Sequence, residues 1–431
     1  MLKKQNKSKT IAVVGLGYVG LPLALLAEKT YTVIGIDTKR EKVEKINARI
    51  APFADEALQK ELSGAKKFSA TTAFSSAAAV KIIIICVPTP VTVEKMPNYE
   101  PVESACRELG KYLQRGQLVI LESTVNPGVC EELVIPILEQ VSGLKAGTDF
   151  SVAHCPERIN PGDAAWNVSN IPRVVGGFDK RSLKRAVAFY RSILSAEVRP
   201  MGSLKEAEAV KIVENSFRNV NIAFVNELAK SFSKMGVDVV NVINGAATKP
   251  FAFMAHYPGC GIGGHCIPVD PYYLIAYARK YNGFEHKFLS LACEVNAGMP
   301  QYTVDILEKA LREKNISIDG ATVAVLGLAY KADIDDCRES PSFAIIEELQ
   351  RRGARVTAYD PHVPKCSDVE TLDAALTGKD AVIVAVNHTK FRRLSPNTLK
   401  GFGVQVVVDG KNCLPKEQYI QAGLSYQGIG R

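Results

Sequence analysis

Residues 10–37 constrain this chain more than any other stretch. An apolar run, Thr10–Val14, leads into Gly15-Leu-Gly17-Tyr-Val-Gly20. An apolar helical pattern, Tyr18–Lys29, follows, and a second apolar run, Thr32–Ile36, ends at Asp37. Strand, glycine turn, helix and strand in that order form a βαβ unit with parallel strands. The first glycine permits the tight turn, and the second lets a pyrophosphate approach the backbone. The third allows close helix–strand packing, and the helix N-terminus offers amides and a partial positive charge. Asp37 stands 17 residues after Gly20, placed to hydrogen-bond ribose hydroxyls and to repel a 2′-phosphate. That favours NAD over NADP, although Lys39 and Arg40 oppose the preference.

The alternation continues. Ile82–Val87, Leu118–Leu121 and Ser151–Ala153 read as strands with helical patterns between them, the signature of a doubly wound parallel sheet. The texture changes at Ser203. From there to Gly236 the chain has neither Pro nor Gly, and Ser203 with Glu206 forms a capping-box pattern. A helix of about 30 residues spans on the order of 45 Å, which suits a connector and a dimerisation surface. After Asp319 strands return at Thr322–Leu326, Arg355–Tyr359, Ala381–Val386 and Val404–Val408, with a helix over Pro341–Arg352. The expectation is an α/β protein of two Rossmann-like doubly wound domains joined by a long central helix. Residues 1–202 form the dinucleotide-binding domain, 203–300 the central helical region and 301–431 a second nucleotide-binding domain.

Composition narrows the function. At 431 residues, 47% hydrophobic and 23% charged, the chain is globular. No apolar run reaches the roughly 20 residues of a membrane span, and the basic Met1–Thr10 lead lacks a cleavage site. The expectation is a cytoplasmic protein. Ten cysteines are scattered without CxxC or metal-ligand spacing, so most read as reduced, buried thiols and no metal is expected. The net charge of +8 comes without a concentrated basic block, which argues against nucleic-acid and membrane partners and suits an anionic small substrate.

The most informative chemistry lies in Gly261-Ile-Gly-Gly264-His-Cys266-Ile-Pro-Val-Asp270. Glycines before a cysteine let backbone approach a ligand, and a thiol beside a nicotinamide can attack an aldehyde. It then holds the hemithioacetal for a second oxidation and leaves a thioester for hydrolysis. Asp270 is placed to steer a water. Lys211, Asn215 and Arg218 share one face of the central helix by their spacing. Glu157 lies in Pro156-Glu-Arg-Ile-Asn-Pro-Gly162, a turn-rich loop after a strand, and Thr89 and Thr124 also follow strands, where ligands sit in open sheets. Lys331 and Arg338 offer a cationic pair in a loop of the second α/β domain.

With Glu122-Ser-Thr-Val, Pro156-Glu-Arg, Lys211 with Asn215, Gly263-Gly-His-Cys266 with Asp270, and Lys331 with Arg338 all in order, the chain resembles the UDP-sugar 6-dehydrogenases from Ile11 to about Asp409. The resemblance implies a four-electron, NAD-dependent oxidation of a C6 alcohol to a carboxylate, and a homodimer. It implies Cys266 as nucleophile and Lys211 as base or oxyanion stabiliser, with Glu157, Asp270, Asn215 and Thr124 assisting. NAD would meet Gly15, Gly17, Tyr18, Val19, Gly20, Asp37, Lys42, Thr89, Thr124 and Arg338. The UDP-sugar would meet Glu157, Arg158, Ile159, Lys211, Asn215, Arg218, Tyr257, Gly259, Gly263 and Lys331.

Lys249-Pro-Phe-Ala-Phe-Met-Ala-His-Tyr257 and His265 look most like the UDP-N-acetylglucosamine branch. The alternatives are UDP-N-acetylmannosamine, UDP-N-acetylgalactosamine and UDP-glucose, or a non-catalytic nucleotide-binding regulator. The loop Glu157–Asp163 fits several acetamido-sugar branches, and Tyr257 stands where some relatives carry arginine. Cys260 stands where relatives usually carry proline, which raises an oxidative pairing with Cys266 or Cys86.

Overall fold

The computed structural model describes residues 9–53, 55–92, 94–159, 166–264 and 266–431. The chain divides into two compact units. The first comprises residues up to Glu214 together with Tyr272–Phe284, and the second Asn215–Pro271 with Glu285–Arg431.

The first unit is built on an eight-stranded sheet, β1 (Thr10–Val14), β2 (Thr32–Ile36), β3 (Phe68–Thr71), β4 (Ile82–Ile85), β5 (Leu118–Leu121), β6 (Ser151–His154), β7 (Arg173–Gly177) and β8 (Val198–Pro200). Its order is β3-β2-β1-β4-β5-β6-β7-β8. Its strands pair in parallel except β6 with β7, so β7 and β8 run opposite to the other six. Alternation along β1 explains the layers: Ile11 and Val13 pack into one core, Ala12 and Val14 into the core on the opposite face. Strand β4 is four isoleucines paired on both sides, the continuous apolar run of a strand covered on both faces. It is shorter than the expected Ile82–Val87. Cys86 still donates its N–H to Val14, but Pro88 has no N–H with which to continue the ladder.

The second unit carries a five-stranded parallel sheet, β9 (Thr322–Leu326), β10 (Arg355–Tyr359), β11 (Ala381–Val384), β12 (Val406–Asp409) and β13 (Ser425–Gly428), in the order β10-β9-β11-β12-β13. Here too Val323 and Val325 face one core, Ala324 and Leu326 the other. Both sheets reverse direction beside their first strand, between β1 and β4 and between β9 and β11. Loops leaving the carboxyl ends of strands at such a point form a ligand crevice.

The two α/β folds share one device. Gly15 (φ +90°) donates to the Ile36 carbonyl, and Leu16 donates to the Asp37 carboxylate at 2.9 Å. Gly327 (φ +101°) donates to the Tyr359 carbonyl, and Leu328 donates to the Asp360 carboxylate at 2.6 Å.

The long helix expected after Ser203 runs from Leu204 to Met235, 32 residues, about 48 Å at 1.5 Å per residue. Ser203 Oγ accepts the Glu206 N–H at 3.1 Å, while the Glu206 carboxylate reaches back to Gly202 N–H rather than to Ser203. Gly236, at φ +71°, follows its end. Among the described residues no helix is long and apolar enough to cross a membrane.

Candidate active site

In the first unit the glycine turn has the shape a pyrophosphate requires. A Cβ on Gly15 would meet the Cys86 carbonyl at 2.5 Å, and one on Gly20 would clash with the Gly15 carbonyl, whereas Gly17 faces open space. The helix Gly20–Glu28 begins there without a side-chain cap. Leu21 and Leu23 donate to the Gly17 and Val19 carbonyls and Pro22 has no N–H, so the turn rather than the helix's second and third residues presents amides to a ligand. Tyr18 is exposed and stacks on Phe53 with centroids 4.2 Å apart, and Val19 is half-buried. Asp37, at the end of β2, accepts from Leu16 N–H (2.9 Å), Lys39 N–H (3.0 Å) and Lys42 Nζ (2.6 Å). Burial raises its pKa, but Lys42 and those amides outweigh this and hold the carboxyl below its usual range. Thus Lys42 orients and charges Asp37. These residues fit NAD.

At the ends of β4 and β5, Thr89 Oγ1 donates to the Thr124 carbonyl at 2.7 Å, tying the two loops. Tyr273 Oη donates to the Thr89 carbonyl. After β6, Glu157 is buried. Its Oε1 accepts the Arg158 and Ile159 N–H groups at 2.6 and 2.8 Å, and its Oε2 accepts Arg173 Nη2 at 2.5 Å. Arg158 pairs with Glu214 at 2.5 Å and donates to the Pro172 carbonyl. The four residues Asn160, Pro161, Gly162 and Asp163 lie outside the described residues, as does His265.

Sequence reasoning missed what lies beneath Glu157. Arg173 is fully buried, and its Nη1 is 4.0 Å from Glu122. Glu122 also accepts from Tyr190 Oη at 2.5 Å and faces the Cys86 thiol at 3.8 Å. Burial pushes the Glu122 carboxyl up to about 7; Arg173 pulls it down and Glu157 pushes it further up. One signal was present in the sequence: Arg173 opens an otherwise apolar strand, Arg-Val-Val-Gly-Gly.

On the central helix, Lys211 and Asn215 are buried while Arg218 is exposed, so the expected polar face is divided between interior and solvent. In the second unit Asn215 Nδ2 donates to Asp270 Oδ2 at 2.5 Å, with both residues buried. Asp270 begins the helix Asp270–Asn282, and its N–H bonds back to the Cys266 carbonyl at 2.8 Å. Cys266 is thereby fixed one turn ahead of that helix with an exposed side chain.

The glycines before it are crowded. A Cβ on Gly263 would lie 2.8 Å from the Glu339 carbonyl and from Tyr330 Cβ, and Gly264 (φ +85°) would place one 2.8 Å from the Tyr330 ring. Gly259 donates its N–H to Asn226 Oδ1, and Tyr257, half-exposed, donates to Asn244. Lys331 is half-buried and Arg338 exposed, the latter paired with Asp336 at 2.5 Å. Cys260 is a core thiol. It is fully buried, packs with Val304 and Val408, and points its Sγ at the Ala385 carbonyl. That placement removes the surface exposure which the expected pairing of Cys260 needs.

Among the described residues two clusters of metal-ligand residue types assemble, Cys130–His154–Glu208 and Asp333–His362–His388, with atoms within 4.8 Å of one another. Both have other employment. Glu208 accepts the Gly128 and Cys130 amides, and His388 accepts Asp333 N–H on Nδ1 and faces Asp360 with Nε2.

A doubly wound sheet with a dinucleotide turn, an acidic second-strand end and a separate unit holding an exposed cysteine defines an NAD-dependent dehydrogenase. Residues 9–194, 205–298 and 324–416 match, in turn, the NAD binding, central and UDP binding domains of the UDP-glucose/GDP-mannose dehydrogenase family. The chain belongs to that family. It is 36% identical to a UDP-N-acetyl-D-mannosamine dehydrogenase of Pyrococcus horikoshii, over 98% of this chain and 99% of that one. To a UDP-N-acetyl-D-glucosamine 6-dehydrogenase of Pseudomonas aeruginosa it is 37% identical, over 92% and 94%. The solved structure of the UDP-D-ManNAc dehydrogenase from P. horikoshii superposes with a TM-score of 0.92 at 34% identity, covering 98% of this chain and 99% of that chain.

Proposed function

We propose that this enzyme oxidises the C6 hydroxyl of a UDP-N-acetylhexosamine to the carboxylate through a thioester on Cys266. The observation that carries the reading is the exposed Cys266 thiol, held at the end of a close-packed glycine segment by the turn that starts the Asp270 helix. NAD, when bound, accepts a hydride in each of the two oxidations. The chain supplies the rest. Cys266 Sγ adds to the C6 aldehyde and retains it as a hemithioacetal, so that the second oxidation yields a thioester rather than a released aldehyde. Lys211 stabilises the oxyanion, and Asp270, oriented by Asn215, positions the water that hydrolyses the thioester. Glu157 and Thr124 assist at the sugar, and Asp37 with Lys42 holds the adenosine ribose. Arg158, Ile159, Arg218, Tyr257, Gly259, Gly263 and Lys331 hold the UDP-sugar, with Arg338 toward the cofactor.

The acetamido class is supported by relatives of both the manno and gluco kinds at near-equal identity, so identity does not choose between the C2 epimers. The segment 249–257 favours the gluco epimer. A homodimer through the central helix is part of the same reading. Val213, Phe217 and Phe224 on that helix are each about half exposed, an apolar surface that a second copy would cover.

The test is NADH release with limiting UDP-N-acetylglucosamine, UDP-N-acetylmannosamine, UDP-N-acetylgalactosamine and UDP-glucose in parallel. Two NADH per acetamido sugar are expected. Turnover of UDP-glucose alone, or one NADH per sugar, would overturn the reading.

A further inference from the structure

The loop after β9 and the turn after β10 leave the carboxyl ends of adjacent strands, and each carries a cysteine. Cys337 Sγ and Cys366 Sγ lie 3.7 Å apart, in van der Waals contact. Cys366 is exposed and Cys337 partly so, whereas six of the other thiols, Cys86, Cys106, Cys130, Cys155, Cys260 and Cys293, are buried. Reaction with a soluble oxidant requires such access.

The contact is fixed from both sides by backbone. Cys337 sits where Ser340 N–H bonds its carbonyl and Asp336 accepts Tyr330 N–H, between two non-glycine residues in the left-handed region, Asp333 (φ +59°) and Glu339 (φ +52°). Cys366 closes the short turn Pro364–Cys366, its N–H on the Val363 carbonyl. The far side of the Cys337 loop packs on the glycine segment ahead of Cys266. Gly264 N–H donates to the Arg338 carbonyl, and the Glu339 carbonyl and Tyr330 ring crowd Gly263 and Gly264.

We propose that Cys337 and Cys366 are a reversible disulfide-forming site, oxidised by hydrogen peroxide, that fastens the Lys331–Arg338 loop to the neighbouring turn. The Cys366 thiolate attacks a peroxide oxygen, forming an S–O bond as the O–O bond breaks and hydroxide leaves. The Cys337 sulfur then attacks that sulfenic sulfur, forming the S–S bond as the S–O bond breaks and water departs. Two thiols lose two electrons and two protons, and the peroxide is reduced to two waters. A dithiol reductant reverses the step by exchange. The inference concerns two thiols outside the proposed chemistry and stands whether or not that reading holds.

The test uses the full-length Cys266→Ser protein, so that the exposed cysteine of the other site does not contribute. Treatment with hydrogen peroxide, acid quenching, alkylation and non-reducing peptide mass spectrometry should find Cys337 and Cys366 joined in one species lighter by two hydrogens. Two thiols per chain should be lost and both recovered with dithiothreitol. Cys366→Ser in the same background should lose the cross-linked species and the reversible thiol loss. Recovery of both cysteines as separately alkylated peptides, or a dithiothreitol-reversible loss that survives Cys366→Ser, would overturn the proposal.

Discussion

Arg173 is the side chain whose removal the first unit should tolerate least. It is fully buried at the start of β7, with Glu157 at 2.5 Å and Glu122 at 4.0 Å. Burial opposes its charge, and the two carboxylates outweigh burial and hold it charged. Arg173→Met keeps an apolar stem of similar reach but leaves two buried carboxylates without a cation. Removing one partner of a buried pair costs about 3–5 kcal/mol. With a urea slope of about 3 kcal/mol/M, the midpoint should fall by about 1–1.7 M.

The single tryptophan, Trp166, lies in the first unit, so its fluorescence follows that unit through the titration. Adding Glu157→Gln removes the nearer stranded charge and should restore about 2 kcal/mol. The pH dependence has a definite sign. Glu122, raised from 4.5 to about 7, binds more protons folded than unfolded, so its contribution is full below about 4.5 and is lost as pH rises through 7. Without Arg173 that loss should steepen. A midpoint shift under about 0.3 M, or a double variant no better than the single one, would refute the reasoning.

Three further outcomes are expected. Cys266→Ala should abolish acid formation while NAD binding, followed by nicotinamide-site fluorescence or calorimetry, is retained; full turnover would exclude the thioester. Asp37→Ala should weaken NAD binding about 10- to 100-fold, as loss of hydrogen bonds to a charged group does, and narrow the gap to NADP in parallel titrations. Burial pushes the Asp360 carboxyl up, but His388 and the Ala329, Leu328 and His362 amides carry it down to about 2. Its depressed pKa stabilises the fold by about 2 kcal/mol above its ordinary 3.8, a contribution lost as pH falls toward 2. Denaturant titrations of Asp360→Asn should therefore show that deficit at pH 7, converging on wild type in acid.

The parts of the fold that the sequence made legible are those where side-chain pattern and backbone demand coincide. β1, β2, β9 and β10 were bounded to the residue, because glycine turns or terminal aspartates mark where their ladders stop; β5 was bounded equally well, its apolar run lying between Gln117 and Glu122. Strands β3, β7, β8 and β13 were not anticipated. β3 is a short four-residue edge strand, β7 starts on a buried arginine, and β8 is three residues ending in proline. For the site, residues close in sequence were legible as groups, such as Gly15 to Asp37 and Gly261 to Asp270. The Glu122–Tyr190–Arg173–Glu157 cluster was not, since its members come from four separate segments that only tertiary packing unites. The split of Lys211 and Asn215 from Arg218 was equally hidden. Helical spacing gives a shared side of the helix but not how much of it the fold covers.

The repeated turn has diverged in what its acid is available to do. At Asp37 the donors are two amides and a flexible lysine, so a ligand hydroxyl can compete for the carboxylate. At Asp360 one oxygen takes two amides and the His388 Nε2–H, and the other takes the His362 amide. The proton on Nε2 follows from Asp333 N–H occupying Nδ1. One copy thus remains adaptable while the other has become a fastening of its own domain. On the proposed reading, redesign of cofactor preference belongs at Asp37, Lys39 and Arg40; the same change at Asp360 would take the shared acceptor from four donors and loosen the second sheet.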